Sequence, residues 1–564
     1  MTFASAKFKS FLPAATFAMA VEFLMGLSDM VVCGHVLGET GLSAVNLMQG
    51  VFEIVTFAGM MVAVGTSVKF ATEMGALHAR RARGYFTLGL ISAIVAGIIV
   101  AVLLAVARSP VLAAFGASPE VTAMASSYWI YYLPAAFLQP VAFYLGTMCY
   151  TDGDAKISFI SYLVQLCVNF LLSIPLTMAF GAAGCAAGTG LGALFAIGVL
   201  IFHFFKKESM LGFSHHYVIT DILQIARTSF GDASKNIGKA VLMFTLNIYV
   251  ISHFGSEMLP ALAVAIMTIG ISEIFDGVAN AAQPLASVYI GERNSLLTKR
   301  IMHAAFITTL FVGFGSMLIL IAFPDLMLLL AGVDEPSMIT EARLAVRLVS
   351  ISLVGLAIVL LFNSYYVFIK RVVLSTALTL MAVLVMPLIA LFLVGPKFGP
   401  HGIWCALGLA PLLAIAVFYT YLGFREGWQN IPLLLPKNRD KALKIFDLVL
   451  EPAQVCKAAE DVEIYLKSKG IKSNRASKAA LLVEESLMVV RDHNVNKRIL
   501  AEISIDLEKS LVLTIRDDGE IFDITNADAK ISSLRSYLVS SLMMTIPGRR
   551  NLTTTGFNKN VFKL

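Results

Sequence analysis

Long apolar runs alternate with short polar turns along residues 1–430, and the pattern then stops. A helix that crosses a bilayer needs about 20 mostly apolar residues. The segments of that kind are 11–33, 42–68, 86–107, 122–149, 157–179, 182–205, 231–254, 259–290, 302–323, 340–368, 373–394 and 402–424. They predict an all-α polytopic membrane protein with about twelve transmembrane helices. Residues 437–564 carry a different signal. Helical periods at Val455–Lys469 and Arg475–His493 precede strand-like alternation at Ala501–Leu507 and Leu511–Arg516. They predict a small C-terminal α/β domain.

The first apolar run continues through Glu22 and Asp29 to Cys33, so it reads as an uncleaved membrane helix, not a signal peptide. Lys and Arg cluster in alternate connections: Arg80, Arg81 and Arg83; Lys206, Lys207 and Arg227; Arg293, Lys299 and Arg300; Lys370 and Arg371. Positive loops stay inside, which puts both termini in the cytoplasm of a bacterial inner membrane.

Composition sharpens this reading. Hydrophobic residues make up 58% of the 564 and charged ones only 14%. The net charge of +6 arises from these loop clusters, so nucleic acid is not the expected partner. The six cysteines form no CxxC pair, which argues against a metal or disulfide framework.

The membrane part also repeats. Gly41-Leu-Ser-Ala-Val-Asn-Leu precedes a helix with Glu53, and Leu259-Pro-Ala-Leu-Ala-Val-Ala precedes one with Glu273. Such pseudo-symmetry predicts two six-helix lobes, 1–205 and 230–430, joined by a linker at 206–229. A basic linker at 431–451 and the α/β domain at 452–564 complete the organisation.

Ionisable groups inside hydrocarbon persist mainly where they face a cavity or a partner. Glu22 and Asp29 lie seven apart in the first helix, nearly on one face, and Glu53 is in the second. Glu273, Asp276 and Asn280 form one polar stripe in the eighth. Asp232, Lys235 and Lys239 form another in the seventh, where they read first as the helix's cytoplasmic mouth. A desolvated carboxyl can take and release a proton near neutral pH, so these positions are candidates for ion coupling or a substrate cavity. Asn169 in the fifth helix reads first as an inter-helix hydrogen-bonding residue.

The sequence resembles the multidrug and toxic compound extrusion (MATE) transporters over residues 8–430. The resemblance rests on Asp29-Met-Val-Val-Cys-Gly-His, Gly41-Leu-Ser-Ala-Val-Asn-Leu and Cys149-Tyr-Thr-Asp-Gly-Asp-Ala-Lys. It continues with Asn169-Phe-Leu-Leu-Ser-Ile-Pro-Leu, Gly181-Ala-Ala-Gly-Cys-Ala-Ala and Gln283-Pro-Leu with Gly291-Glu-Arg-Asn. It implies a V-shaped cavity, export driven by H⁺ or Na⁺, and a monomer. Asp29 matches the first-helix aspartate that many bacterial members use for coupling. Where members with an N-lobe cation site often have Asn-x-x-x-Asp, this chain has Asn169 and Ser173.

The tail block Ala480–His493 with Leu513–Asp523 resembles the histidine-kinase-type ATPase fold, particularly its anti-sigma-factor branch. Glu485 matches the carboxylate that orients the attacking group, and Asp517 and Gly519 match the adenine box. The Mg²⁺-holding Asn is replaced by Val489, and the lid glycines are gone near Ser533-Leu-Arg-Ser536. The resemblance therefore implies a contact surface for a cytoplasmic regulatory protein or a purely structural remnant, with nucleotide sensing without hydrolysis as the alternative.

These readings converge on a secondary antiporter, not an enzyme. It would export a small organic, cationic or amphipathic solute in exchange for H⁺ or Na⁺ with no required cofactor, and carry a regulatory tail. The alternatives are a lipid-linked precursor flippase on the same scaffold and a membrane-anchored nucleotide sensor. Plentiful Met and Phe fit either a greasy cavity or lipid-facing helices, and so do not discriminate.

Overall fold

The computed structural model describes residues 2–75, 78–206, 209–435, 443–495, 497–508, 510–520, 541–542, 546, 548–554 and 557–564. Helices dominate. They are α1 Phe3–Leu47, α2 Gln49–Gly75, α3 Ala79–Phe115, α4 Pro119–Thr151, α5 Ala155–Phe180 and α6 Ala182–Ile201. A second series follows: α7 Asp221–Phe254, α8 Leu259–Gly270, α9 Asp276–Gly291, α10 Ser295–Ala322 and α11 Asp325–Ala331. It ends with α12 Pro336–Val349, α13 Ser352–Phe368, α14 Val372–Leu380, α15 Met386–Phe398 and α16 Pro400–Glu426.

Among the described residues, ten helices are long and apolar enough to cross a membrane, or eleven if the bent pair α12 and α13 is one span. That is fewer than the twelve expected. The expected fourth span is present as α4, but its Ser, Tyr and Pro residues dilute the apolar content. The expected eighth span is among the ten, as Ser256–Ile290, with a 3-10 turn at Ile271–Phe275 between α8 and α9. Such a turn inside a helix marks strain or a hinge. α7 starts at Asp221, well inside the stretch expected as linker.

The chain divides into two compact units. The larger holds Ala14–Ala279 and Phe306–Arg425. Its core packs α5 on α6, α4 on α6 and α2 on α7. Small residues permit the closest approach. A Cβ on Gly188 of α6 would lie 2.0 Å from Ser173 Oγ of α5. At the α4–α5 turn, the buried His203 ring sits between Asp152 at 2.7 Å and Asp154 at 3.0 Å. The Lys206 ammonium beside Asp154 holds that carboxyl down to about 2.

The smaller unit joins Met1–Pro13 and Asn280–Ala305 to Glu426–Leu564. Its sheet has the order β1-β2-β3-β5-β4, all antiparallel. The strands are β1 Leu443–Val449, β2 Leu500–Asp506, β3 Val512–Asp517, β4 Gly548–Thr554 and β5 Phe557–Lys563. Helices α17 Pro452–Ser468 and α18 Ser473–His493 share a core with one face of the sheet through Ile503, Ile505, Leu513 and Ile515. β1 falls within the stretch expected as a basic linker. Ser533–Ser536 lie outside the described residues.

Candidate functional site

Asp29 lies in the interior of α1 and is 5% exposed. Three other helices bring donors to it. Thr189 of α6 donates to Oδ2 at 2.6 Å, and Tyr128 of α4 donates to the same oxygen. Asn169 of α5 donates to Oδ1 at 3.2 Å, and the neighbouring Ser28 hydroxyl reaches it at 3.3 Å. Ser173, one turn after Asn169, donates to Asn169 Oδ1 at 2.7 Å, which orients the amide. Tyr128 stacks on Tyr132 at 5.8 Å, and Tyr132 meets Phe52 at 4.9 Å. An ionised carboxylate only accepts hydrogen bonds, so donors from α4, α5 and α6 suit the charged form.

This arrangement depends on the small-residue sequence of α6. Gly188 lets the backbone of α5 approach, and Thr189 then faces Asp29. Asp29 and Asn169 stood out in the sequence as polar residues in apolar runs. Tyr128, Thr189, Ser28 and Ser173 did not. The only local hint at Thr189 is one hydroxyl within Gly188-Thr-Gly190.

A second group gathers around Lys239 of α7. Its ammonium lies 3.0 Å from Glu273 and 3.6 Å from Glu53. Glu22 is within electrostatic reach of Glu273, Lys235, Asp276 and Lys239. Helices α1, α2 and α7, the broken turn at Ile271–Phe275 and the start of α9 therefore contribute to one charged group. Because α7 begins earlier than expected, Lys239 is mid-helix and paired, not at a helix mouth. Asp232 lies on α7, but its side chain is outside the described residues. Asn280 belongs to the smaller unit, so the expected stripe is divided after Asp276.

In the tail, Glu485 lies on α18 and Asp517 ends β3. Asp517 Oδ1 accepts from Asn558 at 2.8 Å and from the Gly519 amide at 3.1 Å. Burial pushes the Asp517 carboxyl up to about 6. A Cβ on Gly519 would lie 2.6 Å from Asn494 Nδ2, and Asn494 also accepts from the Glu520 amide at 2.8 Å. Asn558 and Asn494 thus pack beside the adenine-box residues. Val489 stands at the Mg²⁺ position.

A family model, MatE, matches residues 14–174 and 239–392, more than half of the chain. The chain belongs to the MatE family. Solved relatives share the fold. One is an inward-facing multidrug resistance MATE transporter of the MOP superfamily, at 19% identity and TM-score 0.64 over 71% of this chain and 94% of that one. A second is the MATE multidrug transporter DinF-BH, solved with a bound ligand, at 16% identity and TM-score 0.63, covering 77% and 97%. A third is a MOP superfamily transporter from Pyrococcus furiosus described as having a binding pocket of reverse polarity, at 20% identity and TM-score 0.60, covering 75% and 96%. Comparison with curated proteins gives no match. This MatE protein is therefore a multi-pass membrane transporter, not an enzyme.

Proposed function

We propose that this transporter is an antiporter that exports a small organic cation in exchange for H⁺ or Na⁺, with Asp29 as the coupling carboxylate. The observation that carries the reading is the buried Asp29 with donors from three further helices. Proton uptake cancels the charge for which those donors are arranged. Hydroxyls of Tyr128, Thr189 and Ser28 can rotate to accept, whereas the Asn169 NH2 group that faces Asp29 only donates. Loading therefore biases how α1 packs on α4, α5 and α6, which is what a two-state carrier requires. A sodium ion would use the same carboxylate and the hydroxyl oxygens of Ser28 and Thr189.

The second group suits a cationic solute. Glu22, Glu53, Glu273 and Asp276 outnumber Lys235 and Lys239, and an acidic lining disfavours pyrophosphate-linked lipids. In this reading the two halves rock about the site, both termini are cytoplasmic, and the tail regulates a monomer that requires no cofactor.

The test is dye efflux from proteoliposomes under imposed proton or sodium gradients, with wild type and Asp29→Asn. Efflux in the wild type that disappears in the variant supports the reading. Efflux unchanged by the substitution removes Asp29 from the coupling role. No efflux under either gradient turns attention to lipid-linked substrates.

A further inference from the structure

The tail sheet carries a row of charges that a free-standing domain would leave in water. The register sets Asp447 opposite Glu502, Glu502 opposite Arg516, and Arg516 opposite Lys559. Two acids and then two bases run across β1, β2, β3 and β5. Side chains alternate along a strand, so this row faces away from Ile503, Ile515 and the two helices. Yet Glu502 and Arg516 are 0% exposed and Lys559 is 9% exposed.

Two other segments of the same unit cover the row. Glu292, in the turn between α9 and α10, pairs with Arg516, and with Lys559 at 2.5 Å. The Tyr289 ring lies 5.1 Å from the Arg516 guanidinium, and its hydroxyl approaches Glu502 at 3.5 Å. Asn294 donates to Ser504 at 3.1 Å, and Arg300 pairs with Asp447 at 3.2 Å. The second segment is the start of α1. The Phe3 amide donates to Asp447 at 2.8 Å, the Phe3 ring meets Phe557 at 5.9 Å, and Lys7 lies 3.7 Å from Asp518.

A covalent domain core is apolar, but this face is held by charges and hydrogen bonds. Buried ion pairs contribute little net free energy, because water solvates the separated charges well. Polar interfaces within a chain are the kind that open. Complementarity is nevertheless specific: the carboxylate of Glu292 meets two bases, and the base Arg300 meets Asp447 at the other end of the row.

We infer that this sheet face is a reversible docking surface for Phe3–Lys7 and Tyr289–Arg300, and that docking clamps α1 to the α9–α10 turn. The inference deepens the regulatory role proposed for the tail and rests on that alternating-access reading. α1 carries Asp29, and α9 follows the broken turn that carries Glu273. While the tail holds Phe3–Lys7 and Tyr289–Arg300, these two segments cannot separate, and any transport step that needs them to part is restrained. Release of the tail removes the restraint.

The experiment uses the full chain in proteoliposomes. Ser504→Cys reports docking through its maleimide labelling rate, corrected for labelling of the wild type. Glu292→Lys sets a cation against Arg516 and Lys559 and is expected to speed labelling more than about tenfold. An unchanged rate overturns the docking. The paired variant Asn294→Cys with Ser504→Cys locks the tail on oxidation. Gradient-driven efflux is expected to fall in the locked protein and to return on reduction. Efflux that proceeds equally with the tail locked overturns the clamp. Absence of efflux from every form, wild type included, sinks the antiporter reading, while the labelling rates still decide the docking.

Discussion

Glu502 faces Arg516 across the β2–β3 ladder with 2.5 Å between Oε1 and Nη1, and water reaches neither side chain. Burial pushes the Glu502 carboxyl up to about 7 from its ordinary 4.5, although the Arg516 guanidinium opposes the rise. Asp447 and Glu292 add to it by like charge. The Tyr289 hydroxyl also faces this carboxyl, and the Lys559 ammonium sits on Glu292 nearby.

The sign of the pH dependence follows. Between about 4.5 and 7 the docked form holds a proton that an undocked, solvated Glu502 has lost. Docking therefore loosens as pH rises through that window, by at most about tenfold per pH unit for one proton. Labelling at Ser504→Cys is expected to speed up over the same range. Glu502→Gln should flatten the profile; an equally steep profile in that variant assigns the proton elsewhere.

Thr189→Val keeps the shape of the side chain but removes a donor from Asp29 Oδ2, and Tyr128→Phe removes the other. A hydrogen bond to a charged group contributes about 1.5–3 kcal/mol. Each substitution is expected to lower gradient-driven efflux by at least about tenfold at equal expression. Efflux at the wild-type level in both variants would show that the cage around Asp29 does not tune coupling.

Gly188→Ala should destabilise the packing of α5 on α6. Its Cβ would meet Ser173 Oγ at 2.0 Å and the Ser173 backbone at 2.9 Å, so a rotamer change cannot relieve the clash. Overpacking of this kind costs about 1–3 kcal/mol. A lower melting temperature in detergent is the expected result.

Lys239→Gln removes the cation between Glu53 and Glu273. In the proposed reading a substrate cation competes for those carboxylates. Binding of a monovalent cationic dye, followed by fluorescence anisotropy, is expected to tighten about tenfold, equivalent to about 1.4 kcal/mol. Weaker binding with the fold intact would mean that Lys239 organises the site instead.

Much of the architecture is legible in the apolar runs, because hydrocarbon tolerates so few charges. Asp29, Glu53 and Glu273 stand out for that reason. Their partners do not. Tyr128 and Thr189 are ordinary residues for a membrane helix, and only the packing of α4 and α6 on α1 brings them to Asp29. The break at Ile271–Phe275 is also silent, since no proline lies in that turn. In the tail, the expected periods at Val455–Lys469 and Arg475–His493 lie almost wholly within α17 and α18. β1 was hidden because its short run follows basic residues. The charged row escaped notice for a physical reason: Glu502 and Arg516 alternate with apolar neighbours as solvent-facing strand residues do. Only the structure reveals what covers them.

α1 holds both Phe3 and Asp29, with Pro13 between them. Events at its two stations are therefore subject to thermodynamic reciprocity. If seating Phe3 on the tail alters the ion affinity of Asp29 by some factor, ion binding at Asp29 must alter the seating of Phe3 by that same factor. The tail would then serve as a gauge of carrier loading as well as a restraint, and a reporter dye placed on it could read occupancy without touching the translocation path.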